Sequence, residues 1–138
     1  MSTKQELIDG LNDDLNRELE AVLRAVYHAA SATSLLGHEL RELLKKDIAG
    51  ELAHAMFLAD KIAALGGDVK VQPAMPKKVR SAKAMLEENV AAERSVLASY
   101  NERIKQAEAF GDRGLVNRLE DILAEETDHA EELERLAR

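Results

Sequence analysis

Two histidines of this 138-residue chain each follow a glutamate by three positions, in the motifs Glu51-x-x-His54 and Glu126-x-x-His129. Side chains three residues apart lie one turn apart on the same face of an α-helix. A carboxylate and an imidazole placed in this way can bind the same metal ion, because both offer lone pairs that divalent transition metals accept. The two motifs therefore predict two metal-binding positions on two helices.

Four glutamates interrupt stripes of apolar residues that recur every three or four positions. An isolated ionised carboxylate in an apolar interior costs several kcal/mol, so a set of buried glutamates requires compensating cations. The stripes contain no lysine or arginine close to these glutamates, which leaves metal ions and the two histidines as expected partners. The four residues are Glu18, Glu51, Glu93 and Glu126.

The candidate ligands repeat with a fixed spacing. Glu51 lies 33 residues after Glu18, Glu126 lies 33 residues after Glu93, and an offset of 75 residues relates the first set to the second. The apolar frame follows the same offset. We therefore interpret the chain as two copies of one helix pair, which together supply six ligands for two metal ions.

Helical periodicity of the apolar residues predicts an all-α protein, built as a four-helix bundle. The first helix is expected over Thr3–Leu36, with Gly37 ending it, and the second is expected to end before Gly66 and Gly67. Gly111 separates the third helix from the fourth. Both prolines lie between the second and third helices, so this segment is predicted to be the one long loop.

A single domain is expected over residues 1–138. Helix pair 1 would occupy about residues 3–66 and helix pair 2 about residues 81–138, joined by a crossover over about residues 67–80. A loop of this length can run along a whole helix, so a long crossover is available as well as a simple up-and-down bundle. We expect the form with one long crossover between helices 2 and 3.

The composition excludes several classes of protein. Aromatic residues make up only 3% of the chain, too few to fill a β-sandwich, and the net charge of −7 repels nucleic acid and anionic membranes. The absence of cysteine excludes disulfides, thiolate metal sites and cysteine nucleophiles. The N-terminal sequence shows no signal-peptide pattern. We expect a cytoplasmic protein with no nucleic-acid and no membrane partner.

Over nearly its whole length the sequence resembles the bacterioferritins, within the ferritin-like di-iron family. The resemblance rests on the segments NRELEAVLRAVYHA, IAGELAHAMFLADKIAALGG, AAERSVL and LAEETDHAEELERL, which carry all the candidate ligands. It implies a ferritin-like fold and a ferroxidase, in which two iron ions per subunit bind as Fe(II) and are oxidised by O₂ or H₂O₂ for storage or detoxification. Nitrogen and oxygen ligands also suit manganese or zinc.

The same resemblance implies a role for each ligand. Two glutamates would bridge the metal ions, and a Glu and a His would complete each metal position. The bridging residues would be Glu51 and Glu126, the ligands of one metal Glu18 and His54, and those of the other Glu93 and His129.

Three further expectations follow from the resemblance. Tyr100 lies seven residues after Glu93, where it would hydrogen-bond a site carboxylate or supply an electron; a core tyrosine with its hydroxyl bonded elsewhere is the equal alternative. Haem is not expected, because Leu52 replaces the methionine that binds it, and Met56 is expected to be a core residue. A homo-oligomer is expected, as a dimer or a shell; because the chain ends at Arg138 without the short fifth helix that helps to build the large cage of the family, a dimer or smaller shell is weighted equally with that cage.

Two other functions stay open. One is a peroxide-reducing dimetal protein of the rubrerythrin or manganese-catalase type, although Val96 replaces the additional glutamate that rubrerythrins carry and the chain has no cysteine-rich module. The other is a non-catalytic helical scaffold in which the six residues hold structural zinc. This scaffold would not consume oxygen when Fe(II) is added.

The remaining polar residues are assigned to simpler roles. His28 and His38 are expected at the surface or at a subunit contact, because they lie off the apolar stripes. Arg24 and Arg103 are expected on solvated helix faces. For Asp47 two interpretations stay open, an ion entry path or the end of a solvated face.

Overall fold

The computed structural model describes residues 3–138 and contains four α-helices, with no strand among these residues. α1 packs along α2 and α3 along α4, while α1 meets α3 and α2 meets both α3 and α4. A crossover over residues 65–81 joins α2 to α3. The predicted four-helix bundle with one long crossover is confirmed. The helices are α1 (Lys4–Ser31), α2 (Ser34–Ala64), α3 (Ala82–Phe110) and α4 (Arg113–Ala137).

Three of the four helices begin at a capping side chain. Thr3, Ser81 and Asp112 each accept a hydrogen bond from the backbone N–H three residues later, at 3.0–3.1 Å. Gly111 ends α3 with a φ of 89°, in the left-handed region that favours glycine. The turn between α3 and α4 therefore lies where the sequence predicted it.

The break between α1 and α2 falls earlier than predicted. The chain turns at Ala32 and Thr33, and Gly37 lies buried inside α2. A Cβ atom at Gly37 would lie 2.9 Å from the carbonyl carbon of Ala32. The expectation that Gly37 ends the first helix is wrong, because this glycine instead allows the turn to approach the first residues of α2.

Two apolar clusters fill the bundle, one on each side of the buried glutamates. On α1, for example, Glu18 lies between Leu15 of the large cluster and Ala25 of the small cluster. No helix within residues 3–138 combines the length and the hydropathy that a membrane span requires. The large cluster includes Leu7, Leu11, Leu15, Leu58, Tyr100 and Leu119, and the small cluster includes Ala25, Leu40, Leu44, Met85, Leu86 and Leu133.

The crossover runs along α1 and is held there by asparagine side chains. Asn12 donates from Nδ2 to the carbonyl of Asp68 at 2.9 Å and accepts from the N–H of Lys70 at 2.8 Å. Asn16 repeats this pattern one turn later, with the carbonyl of Lys70 and the N–H of Gln72, both at 2.7 Å. Each carboxamide thus pairs with the extended backbone as a neighbouring β-strand would.

Glu20 completes this asparagine ladder, which we define as Asn12, Asn16 and Glu20. Its carboxylate accepts a hydrogen bond from the N–H of Ala74 at 2.9 Å. Four helical residues rise about 6 Å and two extended residues about 6.6 Å, so successive side chains meet every second residue of the crossover. The ladder fixes the path of a segment that has no helix or strand of its own.

Candidate metal centre

The six predicted ligands converge in the middle of the bundle. Their ligand atoms form two groups of four, and within each group all four atoms lie within 4.8 Å of one another. Each helix contributes its buried glutamate, and α2 and α4 also contribute one histidine each. Glu51 and Glu126 belong to both groups. The first group is Glu18, Glu51, His54 and Glu126, and the second is Glu51, Glu93, Glu126 and His129.

Both histidines direct Nδ1 toward the glutamates. His54 donates from Nδ1 to Oε2 of Glu18 at 2.7 Å and to Oε1 of Glu126 at 3.0 Å. His129 donates from Nδ1 to Oε1 of Glu51 at 3.0 Å. The nitrogen that would bind a metal is therefore placed among the carboxylates with which it would share that metal.

The other nitrogen of each histidine contacts an outer carboxylate. Nε2 of His54 lies 2.7 Å from Oε2 of Glu125, and Nε2 of His129 lies 3.3 Å from Oδ1 of Asp47. Such carboxylates fix the orientation of the ring and raise the basicity of the inner nitrogen. Asp47 thus contacts the site. Glu125 was not identified from the sequence, where it resembles any exposed acidic residue of α4.

Burial raises the pKa of three of the four central glutamates. Desolvation raises the pKa of Glu93 to about 10, and the negative charges of neighbouring glutamates contribute to this shift. Desolvation is also the largest cause for Glu18 and Glu51, whose pKa values are raised above the usual range. These carboxyl groups therefore hold protons that a metal ion must displace.

Glu126 and the two histidines show the opposite electrostatic balance. Burial alone would raise the pKa of Glu126, but the interactions of its carboxylate with His129, His54 and Glu93 outweigh burial and lower that pKa. Burial alone would lower the pKa of His54 and His129, but their hydrogen bonds to carboxylates raise both values to about 11. At neutral pH the charged histidines thus stabilise one ionised glutamate that both ligand groups share.

Each central glutamate has one oxygen without a hydrogen-bond partner among residues 3–138. A buried polar atom left without a partner costs about 1–3 kcal/mol. Four such oxygens beside two imidazole nitrogens form the mixed donor set that iron, manganese and zinc accept. The residues present therefore fit a two-metal centre. The atoms are Oε1 of Glu18 and Oε2 of Glu51, Glu93 and Glu126.

Comparison with known protein families shows to which family this four-helix bundle belongs. Residues 8–138 match the family model described as Ferritin, the ferritin-like domain. The chain belongs to the ferritin-like family. Among curated proteins no sequence matches it. The family that the motifs of α1 to α4 indicated is therefore confirmed over nearly the whole chain.

Solved structures of other ferritin-like proteins superpose closely on this one. A ferritin-like diiron-carboxylate protein from Bacillus anthracis str. Ames is 36% identical, with a TM-score of 0.94 and 100% of both chains covered. A dodecameric thioferritin from Bacteroides fragilis is 23% identical, with a TM-score of 0.88, over 98% of this chain and 86% of that one. Dps from Thermosynechococcus elongatus is 16% identical, with a TM-score of 0.90, over 98% and 92%. The last two show likeness of fold alone.

Tyr100 of this ferritin-like protein is fully buried beside the ligands. Burial raises its pKa well above the usual range, and the negative charges of Glu18 and Asp14 raise it further. Its hydroxyl has no hydrogen-bond partner among residues 3–138. The structure therefore places Tyr100 near the centre but lacks the expected hydrogen bond to a site carboxylate.

A buried ion pair lies beyond the ligands and was missed in the sequence. Arg103 donates from Nε to Oδ2 of Asp14 at 2.8 Å, and from Nη2 to Oγ of Ser99 at 3.1 Å. Gly10 leaves room for the guanidinium, since a Cβ atom there would lie 1.9 Å from Nη1. The assignment of Arg103 to a solvated face is wrong, because its charge is neutralised inside the bundle.

The equivalent position of the other helix pair holds a different polar network. Asn89 lies 2.9 Å from Nδ1 of His28 through its Nδ2 atom, and Arg24 donates from Nε to Oδ1 of Asn89 at 3.3 Å. His28 is fully buried and Arg24 half-buried, so the surface positions expected for them are wrong. The 75-residue offset relates Asp14 to Asn89 and Arg103 to His28. This correspondence is the feature of the sequence that indicates two equivalent buried polar networks.

Two residues considered for haem lie on the outside of the ferritin-like bundle. Leu52 is 44% exposed and Met56 is 63% exposed. The expectation that Met56 is a core residue is therefore wrong. His38 is exposed, as expected.

Proposed function

We propose that the protein is a ferroxidase of the bacterioferritin type, which oxidises Fe(II) with O₂ or H₂O₂ in the cytoplasm for iron storage or detoxification. The supporting observation is the pair of four-residue ligand groups that share Glu51 and Glu126. Carboxylates shared in this way hold two metal ions about 3.5–4 Å apart. Two ions at this distance can together give two electrons to one oxidant.

Fe(II) is the substrate in this proposal. With H₂O₂, two Fe(II) ions lose one electron each, the O–O bond breaks, and two protons complete two water molecules. With O₂, the same two electrons and two protons yield H₂O₂. In both cases the iron product is Fe(III), which is stored or passed on.

The chain prepares the site by holding and releasing protons. Glu93, with its pKa raised to about 10, carries a proton at neutral pH that leaves when a cation binds. His54 and His129 lose the Nδ1 proton at the same stage. Glu125 and Asp47 keep the Nε2 protons hydrogen-bonded, so each ring presents its inner nitrogen in a fixed orientation.

We propose a homo-oligomer for the same protein. The Bacteroides fragilis neighbour is described as a dodecamer. Val26 and Met75 are exposed and line the same apolar groove, and a contiguous exposed apolar surface is typical of a subunit contact. Light scattering during size-exclusion chromatography distinguishes a dimer from a shell.

The ferroxidase is tested by mixing Fe(II) with the protein in air and recording the ferric absorbance. Glu51→Ala and Glu126→Ala should each return the rate to that of buffer, because each change removes a ligand from both groups. Glu39→Ala, an exposed glutamate of α2, is the matched control and should keep the wild-type rate. Equal rates for all four proteins would contradict the proposal.

Two further measurements distinguish the proposed ferroxidase from a peroxide-reducing protein and from a haem-binding one. Consumption of H₂O₂ by Mn(II)-loaded protein, without Fe(II) oxidation, would instead indicate a peroxide-reducing dimetal protein. Because Leu52 has no lone pair to offer haem iron, we expect no Soret band after purification with ample haem. A haem with a sulfur ligand would contradict this expectation and implicate Met56.

A further inference from the structure

A groove between α1 and α3 lies apart from the candidate metal centre. It has a volume of about 170 Å³, and none of the six candidate ligands lines it. One water molecule needs about 10–15 Å³, so the groove has room for a molecule of several heavy atoms. We define the α1–α3 groove by the residues that line it, which are Arg17, Glu20, Arg24, Ala92, Ser95 and Val96.

The groove exists because α3 carries small side chains where α1 carries long charged ones. The 75-residue offset relates Arg17 to Ala92 and Glu20 to Ser95. Because Ala92 and Ser95 are short, space stays open opposite the charged residues of α1. The exposed hydroxyl of Ser95 also connects this space to solvent. The groove is therefore a point at which the two helix pairs depart from their repeat.

A hydrogen bond to α3 anchors each arginine, and the two anchors lie on either side of the small residues. Arg17 donates from Nη1 to Oγ of Ser99 at 2.9 Å, and Arg24 donates from Nε to Oδ1 of Asn89 at 3.3 Å. Each bond uses one of the five N–H groups of a guanidinium. Seven residues of helix span about 10.5 Å, so one small anion between the two guanidiniums can accept hydrogen bonds from both.

Neither arginine of the groove has a counter-ion. Arg103 forms an ion pair with Asp14. In contrast, no carboxylate oxygen of residues 3–138 lies within 4.0 Å of a guanidinium nitrogen of Arg17 or Arg24. Both are half-buried, and burial lowers the pKa of Arg24, a shift that neighbouring carboxylates only partly offset. Two half-buried positive charges without a counter-ion favour an anion and repel a cation.

We propose that the α1–α3 groove binds a phosphate group, as the free ion or as part of a phosphate monoester. The oxygens of phosphate can accept hydrogen bonds from both guanidiniums and from the hydroxyl of Ser95, whereas a carboxylate has only two oxygens for these donors. Glu20 opposes this binding, but its carboxylate accepts a hydrogen bond from the N–H of Ala74. Two arginines and one glutamate leave the lining with a net positive charge. The site does not depend on the proposed ferroxidase function.

The test titrates the protein with inorganic phosphate by calorimetry, at constant ionic strength in chloride. Metal is left out because metal ions would themselves bind phosphate. Arg17→Met and Arg24→Met each remove one guanidinium, whereas Ser95→Leu fills the groove and keeps both charges. Arg135→Met, at an exposed position of α4, is the matched control for the loss of one positive charge.

We expect Arg17→Met and Arg24→Met each to weaken phosphate binding by about tenfold, because each removes a charged hydrogen-bond donor. Ser95→Leu should weaken binding at least as much, and Arg135→Met should bind like wild type. Glu20→Gln should bind phosphate more tightly, because it removes the opposing charge and keeps an oxygen for the N–H of Ala74. If Arg24→Met does not fold, Arg17→Met and Ser95→Leu still decide.

Separate arms with acetate and glycerol 2-phosphate define the ligand. Acetate should bind more weakly than phosphate. Tighter binding of glycerol 2-phosphate than of inorganic phosphate would assign the groove to monoesters, and the reverse order would assign it to the free ion.

Three results would overturn the inference. The first is the absence of saturable phosphate binding by the wild-type protein. The second is an affinity that Arg17→Met and Ser95→Leu leave unchanged, and the third is acetate binding as tight as that of phosphate. Because no Fe(II) is present, these results are independent of failure of the proposed function, in which the wild-type protein oxidises Fe(II) no faster than buffer.

Discussion

Asp14 and Asn89 occupy the same position in the two helix pairs, 75 residues apart, and both are buried. Asp14 forms an ion pair with Arg103, although burial keeps its pKa above the usual value. Asn89 is neutral and meets His28, whose pKa is lowered by burial and then by the charge of Arg24. Equivalent backbone positions thus hold a charged pair on one side and a neutral pair on the other.

The outer carboxylates of the two histidines also depart from the 75-residue repeat. His54 is contacted by Glu125 from α4, and His129 by Asp47 from α2. The offset of 75 residues does not relate these two carboxylates, because Gly50 corresponds to Glu125. The six candidate ligands follow the repeat, as the geometry of a two-metal centre would require, whereas the outer carboxylates would only need to place an oxygen beside each Nε2 atom.

Breaking the charged network should have the largest effect. Arg103→Met leaves Asp14 buried without its cation, which costs about 3–5 kcal/mol of unfolding free energy. Arg24→Met leaves the neutral Asn89 with one hydrogen bond fewer and should cost about 1 kcal/mol. Urea denaturation of both variants gives the two values, and equal losses would contradict the difference between the two networks.

A double variant sharpens this comparison. Asp14→Asn with Arg103→His copies the Asn89–His28 pair into the first position. Because no charge then stays buried without a partner, we expect it to be more stable than Arg103→Met alone. Lower stability of the double variant would show that the surroundings, including Gly10, accept only the guanidinium.

The next effect concerns metal and pH. Glu93 has a folded-state pKa of about 10 against 4.5, and His54 and His129 have values of about 11 against 6.5. The folded apo protein therefore binds more protons than the unfolded chain. The free energy of unfolding that these groups contribute is lost as pH rises from about 4.5 toward 11. We expect the Tm of the apo protein to fall between pH 6 and 9 as these losses accumulate.

Metal should restore that stability progressively as pH rises. Binding to the folded state alone adds about 2.7 kcal/mol per site at a hundredfold excess over Kd. Because protons compete for the same ligands, the increase in Tm with Mn(II) or Zn(II) should be large at pH 7 and smaller at pH 5. Calorimetry measures it, and an undiminished shift in Glu51→Ala/Glu126→Ala protein would place the metal elsewhere.

The asparagine ladder belongs to α1 alone, and its loss should have a moderate effect. Ala91 occupies the position on α3 that corresponds to Asn16. Asn16→Ala removes both hydrogen bonds to the crossover and should cost about 1–2 kcal/mol, with faster proteolysis between residues 65 and 81. Asn117→Ala, at an exposed position of α4, is the control. Equal protease resistance in both variants would show that the ladder does not hold the crossover.

Tyr100→Phe should change stability least. The hydroxyl of Tyr100 has no hydrogen-bond partner among residues 3–138. Its removal therefore keeps the packing of the ring unchanged and removes the cost of burying an unpaired oxygen. We expect unfolding free energy within about 1 kcal/mol of wild type, and equal or higher. A larger loss would reveal a hydrogen bond that involves the hydroxyl. Slower Fe(II) oxidation at unchanged stability would support electron donation by Tyr100.

The sequence was sufficient for the number of helices and for the set of candidate ligands that the structure brings together, because both follow periodic rules. A glutamate in an apolar stripe, repeated at one offset, identifies Glu18, Glu51, Glu93 and Glu126 without any coordinates. Gly37 was misassigned because glycine serves equally to end a helix and to permit a close approach. Only the position of Ala32 in space distinguishes these roles.

Arg24, His28 and Arg103 were misassigned for a different reason. Charged residues at stripe edges are typical of solvated faces, and their burial depends on a partner on another helix. The partners lie 61 residues or more away along the chain, as with Asn89 and His28. The 75-residue offset carries a signal of their burial, since it relates Arg103 to His28 and Asp14 to Asn89.

The asparagine ladder also determines which changes in crossover length the fold can accept. Asn12 and Asn16 each pair with one carbonyl and with the N–H two residues later, and Glu20 accepts from the N–H two residues beyond that of Gln72, so the pattern along the crossover repeats every two residues. An insertion of one residue between positions 68 and 74 would bring the wrong face of the backbone toward part of α1. An insertion of two residues shifts the register by one rung and keeps the remaining pairs. Viable crossovers of this fold should therefore differ in length by even numbers of residues.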